Sequence, residues 1–129
     1  MAWVEAVMLL AVAQYLAFGM LVGRARGKYG VQAPATSGDE MFERFYRVQM
    51  NTLELLPVLL PSLWLAGKYW TPEWVAGAGL VYLLGRLLYL KAYITNPPSR
   101  GLGFMLSYVP IMALLIAALV GAVRATQQA

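Results

Sequence analysis

Between residues 40 and 54 the chain reads EMFERFYRVQMNTLE, and its polar residues are spaced to share one side of a helix. At about 100° per residue, with Arg47 as origin, Glu40, Glu43, Arg44, Asn51 and Glu54 all fall within roughly 60° of it. Gln49 falls about 200° away, on the opposite side of the same helix. Further along, Tyr82, Arg86, Tyr89 and Tyr93 follow the i, i+4, i+7, i+11 spacing of a second stripe. Guanidinium groups grip carboxylates through paired charge-assisted hydrogen bonds, and a carboxylate grips an ammonium. Several guanidiniums, a carboxylate, an amide and phenols together match a small ligand with more than one carboxylate and an amino group.

The elements that position these residues lie in lipid. Of the 129 residues, 60% are hydrophobic and 12% charged, well beyond the balance of a water-soluble domain. Four apolar segments, at 3–23, 48–67, 73–94 and 102–123, each approach the ~20 residues of a spanning helix. The predicted fold is therefore all-α, a four-transmembrane-helix bundle in which residues 1–129 form a single integral membrane domain. A charge near the bilayer centre costs about 2.5–3.5 kcal/mol on insertion scales, so Arg47, Glu54 and Arg86 must face protein, water or ligand. A purely structural alternative pairs Arg47 with Glu54 as a buried ion pair and leaves Tyr89 and Tyr93 as interfacial anchors.

The chain has no cysteine and no histidine, which removes disulfides, thiolate nucleophiles, Ser/His/Asp triads and nearly all transition-metal sites, so no metal is expected. Any reactive group then belongs to a bound molecule. The net charge of +4 is not gathered into a basic surface with interleaved aromatics, so nucleic acid is not an expected partner. The first segment resembles a signal peptide but carries Glu5 where a positive region belongs, and it reads as a retained helix. Arg24, Arg26 and Lys28 after the first segment, with Lys91 and Arg100 after the third, place loops one and three in the cytoplasm and both termini outside.

Local signals mark the ends of the segments. Loop one, roughly residues 25–40, closes on Ser37-Gly-Asp-Glu40, which has capping-box spacing for a second helix that begins ahead of the membrane core. Pro57 and Pro61 lie inside that helix and are expected to kink it unless neighbours take up the freed carbonyls. Thr71 and Pro72 suit the N-cap and first position of helix three, beside an interfacial belt of Tyr69, Trp70 and Trp74. Asn96-Pro-Pro-Ser ends helix three.

Glutathione has the inventory that the stripes demand: two carboxylates, one ammonium, and the thiol that this cysteine-free chain lacks. FERFYRVQMNTLE followed by GRLLYLKAYITNPPSRG resembles the membrane-associated eicosanoid and glutathione metabolism (MAPEG) family, which includes microsomal glutathione transferases and leukotriene C synthase. The resemblance covers the whole four-helix layout. It implies a homotrimer among membrane lipids, with glutathione as co-substrate bound between subunits and open toward the cytoplasm. Carried over position by position, it implies glutathione contacts at Arg26, Arg47, Gln49, Asn51, Glu54, Tyr89 and Tyr93, with Arg86 as a supporting charge. It assigns Arg100 the activation of the thiol, the catalytic role. Leu55 departs from the family pattern, which often has tyrosine after the glutamate. The expected activity is conjugation of the glutathione thiolate to a lipophilic electrophile, with glutathione peroxidase activity toward a lipid hydroperoxide as an extension. Two rivals are a non-catalytic lipid- or glutathione-binding membrane protein of the same fold and a small four-helix drug transporter.

Overall fold

Each helix ends where its sequence stops supporting one. In the computed structural model, which describes residues 1–128, α1 runs Ala2–Tyr29, α2 Glu40–Tyr69, α3 Pro72–Thr95 and α4 Gly101–Gln128. A single 3-10 turn, Pro97–Arg100, joins α3 to α4. No strand occurs among the described residues. The helices α1 and α3, and the run Pro97–Gln128 that contains α4, are long and apolar enough to cross a membrane. α2, whose 30 residues reach about 45 Å, is not among them.

Two boundaries differ from expectation. Arg24, Arg26 and Lys28 lie on α1 rather than in loop one, because the helix continues to Tyr29. Cations suit the negative end of a helix, and the stop comes at Gly30, whose φ of 70° is costly for any residue with a Cβ. The N–H groups of Gly30 and Val31 both return to the carbonyl of Arg26. At the start of α2 the cap is Asp39, not Ser37: Phe42 N donates to Asp39 Oδ1 at 2.9 Å, and Gly38 N donates to Glu43 Oε2 at 3.3 Å. Side chains thus hold backbone N–H groups on both sides of the cap, but not in capping-box register, since Glu43 is one residue past the third helical position and reaches the residue before Asp39.

The other boundaries agree with the sequence. Thr71 holds the N-cap position of α3 without a side-chain hydrogen bond, Pro72 takes the first helical position, and Asn96 closes α3 ahead of the paired prolines. The helix α2 stays continuous through Pro57 and Pro61. At the α2–α3 turn Trp70 Nε1 donates to the carbonyl of Ala117 at 2.8 Å, tying the turn to α4, while Trp74 stands 82% exposed.

The core joins all four helices through Val7 of α1, Leu59 and Leu63 of α2, Val75 of α3 and Ile111 and Leu114 of α4. Leu55 belongs to this cluster, so the residue at the departing position serves packing. In lipid there is little hydrophobic drive between helices, and close packing of small residues takes its place. α3 and α4 meet in this way. A Cβ at Gly85 would stand 2.6 Å from the backbone N of Ser107, and one at Gly103 would strike the backbone of Tyr89. This close crossing brings Ser107 against α3 at the level of Arg86. Around the outside, Leu9, Leu16, Met20, Leu84 and Leu102 present more than half of their surface, an apolar band suited to acyl chains.

Candidate functional site

Arg86 lies at the centre of the bundle, with none of its surface exposed. Its Nε donates to Ser107 Oγ of α4 at 2.8 Å, and its Nη1 donates to Asn51 Oδ1 at 2.6 Å and to Thr52 Oγ1 at 3.2 Å, both on α2. The guanidinium also lies 4.3 Å from the centroid of the Tyr89 ring. One side chain of α3 thus binds both neighbouring helices at a polar point, and no carboxylate pairs with it among the described residues. Lone pairs, an amide dipole and an aromatic face hold the charge, while Nη2 is enclosed without a partner among the described residues.

From Arg86 an aromatic row leads toward the α3–α4 turn. Tyr89 packs against Tyr93 with centroids 5.6 Å apart and against Phe104 at 6.2 Å; Phe104 stacks on Tyr108 at 5.4 Å. Arg100 closes the row. It is exposed, donates from Nη1 to the carbonyl of Pro97 at 2.9 Å, and holds its guanidinium 5.7 Å from the centroid of the Tyr93 ring. Beside it opens a cavity of about 410 Å³ lined by Asp39, Glu43, Arg44, Arg47, Tyr93 and Pro97, among others. Arg44 braces the cavity wall, donating to Glu40 Oε1 at 2.7 Å and to the carbonyl of Ile94 on α3 at 3.0 Å.

Arg47 and Glu54 are exposed, and they do not pair. The ion pair expected under a structural reading is absent among the described residues; Arg44–Glu40, one turn apart on the surface, takes the contact instead. Below Glu54 the same side of α2 turns apolar. Pro57, Val58, Pro61 and Leu65 face Leu115, Leu119 and Ala122 of α4 across a groove of about 390 Å³. By helical angle Val58, Pro61 and Leu65 continue the Arg47 stripe. One face of α2 is therefore polar at the end next to the α3–α4 turn and apolar toward the other.

The structure divides the sequence-predicted residues into two groups. Asn51, Arg86, Tyr89, Tyr93 and Arg100 form a continuous chain of contacts, and Arg47 joins Tyr93 at the cavity. Glu54 lies on the same face of α2, three residues beyond Asn51. Gln49 and Arg26 stand apart, toward α1. Gln49 Nε2 comes within 2.8 Å of where a Cβ on Gly19 would sit. Arg26 donates to the carbonyl of Ala35 at 2.6 Å and lies 4.8 Å from the centroid of the Phe42 ring, holding loop one against the start of α2. Within one chain these two do not join the Arg47 face.

Sequence reasoning left Ser107, Thr52 and Phe104 out of the site. Ser107 and Thr52 sit in apolar runs and pass for helix-compatible hydroxyls, each donating to the carbonyl one turn back. Gly103-x-x-x-Ser107, a pair of small residues at helix-crossing spacing, was the available signal for the first.

A profile of the MAPEG family matches residues 4–120. An uncharacterized protein from Synechocystis sp. is 47% identical over 117 residues, covering 91% of this chain and 85% of its own length. Human microsomal glutathione S-transferase 2 is 42% identical over 110 residues, covering 85% of this chain and 74% of its own. Guinea-pig (Cavia porcellus) leukotriene C4 synthase is 42% identical over 94 residues, covering 73% of this chain and 63% of its own.

Proposed function

The chain belongs to the MAPEG family, and from that premise we propose that it is a membrane glutathione transferase. It joins the glutathione thiolate to lipophilic electrophiles, and it reduces lipid hydroperoxides with glutathione as reductant. The observation that carries this reading is the divided face of α2, polar with mixed acidic and basic groups from Glu40 to Glu54 and apolar from Val58 to Leu65, at a bundle surface that meets lipid. A peptide with two carboxylates fits the first part and an acyl or aryl co-substrate the second. Their reacting ends meet between, which supplies proximity without a covalent enzyme intermediate.

In this reading Arg47 and Asn51 take glutathione carboxylates, Glu54 takes its ammonium, and Tyr89 and Tyr93 wall the site with Arg86 behind them. Arg100 faces the thiol and favours its ionised form. The thiol proton leaves to water, the sulfur forms a bond to the electrophilic carbon, and the leaving group departs with its electron pair. An opened epoxide instead takes a proton from water. In the peroxidase reaction two glutathiones are oxidised to one disulfide as the hydroperoxide is reduced to an alcohol and water.

Gln49, inside the matching motif, faces α1, and Arg26 lies on α1 against loop one and Phe42, so in this reading both reach the site of a neighbouring copy in a homotrimer. In the same reading that end of the bundle, and the opening of the site, face the cytoplasm, which the positive-inside rule supports through Arg24, Arg26, Lys28, Lys91 and Arg100.

The test is turnover by purified protein in detergent, with glutathione and either an aryl halide or a fatty-acid hydroperoxide. Saturable, glutathione-dependent turnover of at least one is expected. Tight glutathione binding without any turnover would favour a non-catalytic binding protein, and absence of both binding and turnover would remove the proposal.

A further inference from the structure

An arginine side chain has donors only. The atom of Asn51 that meets Arg86 Nη1 at 2.6 Å must therefore be the carbonyl oxygen, and the amide nitrogen is turned the other way. That nitrogen has no partner among the described residues and is not enclosed, since Asn51 is only half-buried. The guanidinium is held through Nε and Nη1, and its remaining nitrogen, Nη2, has no partner among the described residues but is enclosed, out of a ligand's reach. Ser107 Oγ gives its hydrogen to the carbonyl of Gly103 at 2.7 Å, and Thr52 Oγ1 gives its own to the carbonyl of Val48 at 2.8 Å. Both hydroxyls thus present lone pairs to Arg86, and the Tyr89 ring covers its face.

We infer that Arg86 is a positioning residue that never touches the ligand, and that it fixes the Asn51 amide so that a hydrogen-bond donor faces the site. The ligand group opposite Asn51 is then an acceptor, a carboxylate or peptide carbonyl of glutathione, and an ammonium is refused there. This assignment rests on the glutathione reading above. An asparagine free to flip would take either group; one whose oxygen is held by a buried guanidinium discriminates.

The test is a double-mutant cycle on glutathione affinity, measured by titration calorimetry of the full chain in detergent, with Arg86→Met and Asn51→Ala. If Arg86 acts through Asn51, Arg86→Met weakens binding roughly tenfold in the natural background and less than about twofold beside Asn51→Ala. A residue that only staples helices, or one that contacts the ligand, gives losses that add. Asn51→Asp covers the case in which Arg86→Met does not assemble. It keeps an oxygen for Arg86, and so assembles normally, but turns a second oxygen toward the ligand. Its affinity is expected to fall below that of Asn51→Ala, and wild-type affinity in Asn51→Asp would overturn the inference. Additive losses with intact wild-type binding would likewise overturn this inference alone, whereas a wild-type chain that binds no glutathione would remove the functional reading along with it.

Discussion

Glu54 and Arg100 are the residues at which the functional account is most exposed to experiment. Glu54 is the carboxylate of the Arg47 face that lies deepest along α2, exposed and in no ion pair, and so available to an ammonium. Glu54→Gln removes one charge-assisted hydrogen bond of about 1.5–3 kcal/mol, so glutathione affinity should fall roughly ten- to a hundredfold with assembly unchanged. Normal affinity with failed assembly would return Glu54 to a structural role. Arg100 is exposed beside the cavity, over Tyr93, with one nitrogen on the Pro97 carbonyl. Lowering a thiol from its usual value of about 8.5 by two units requires about 2.7 kcal/mol of preference for the thiolate. Arg100→Ala should cut the rate of thiolate attack far more than it weakens glutathione binding. Rates and binding that fall by the same factor would make Arg100 an ordinary contact.

At the scale of elements, the crossing of α3 and α4 determines whether the residue chemistry is assembled at all. Gly103→Val would place a branched side chain against the Tyr89 backbone and lift Ser107 from Arg86. A cost of about 1–3 kcal/mol from overpacking is expected, read as a lower unfolding temperature in detergent and a parallel loss of glutathione affinity. Gly77→Ala, where an added Cβ meets nothing within 4 Å, should leave both unchanged. Equal effects from the two substitutions would show that the close crossing is not what holds the site. Helix number and type, the proline and threonine boundaries of α3 and the two polar stripes were legible in the sequence, because each follows from spacing along one helix. The partners of Arg86 were not legible, because they come from two other helices and depend on which turns of α3 and α4 meet. The reach of α1 to Tyr29 was missed for a different reason: hydropathy marks where lipid ends, whereas capping at Gly30 marks where the helix ends. The same distinction explains Asp39, since Ser37 had the right spacing but the backbone N–H that needed a partner belonged to Phe42.

For the whole molecule, the separation of Gln49 and Arg26 from the Arg47 face requires a second copy if all of these residues serve one ligand. Mass measurement in mild detergent should give a trimer, and a monomer that still binds glutathione would contradict a shared site. Ultraviolet absorbance of the thiolate reads the proposed glutathione binding and thiol ionisation at once. Adding glutathione to the purified protein near neutral pH should produce a saturable thiolate band, at a pH where free glutathione is almost wholly thiol. If glutathione well above millimolar concentration produces no band beyond that of the free peptide, the chain does not activate the thiol and the account fails.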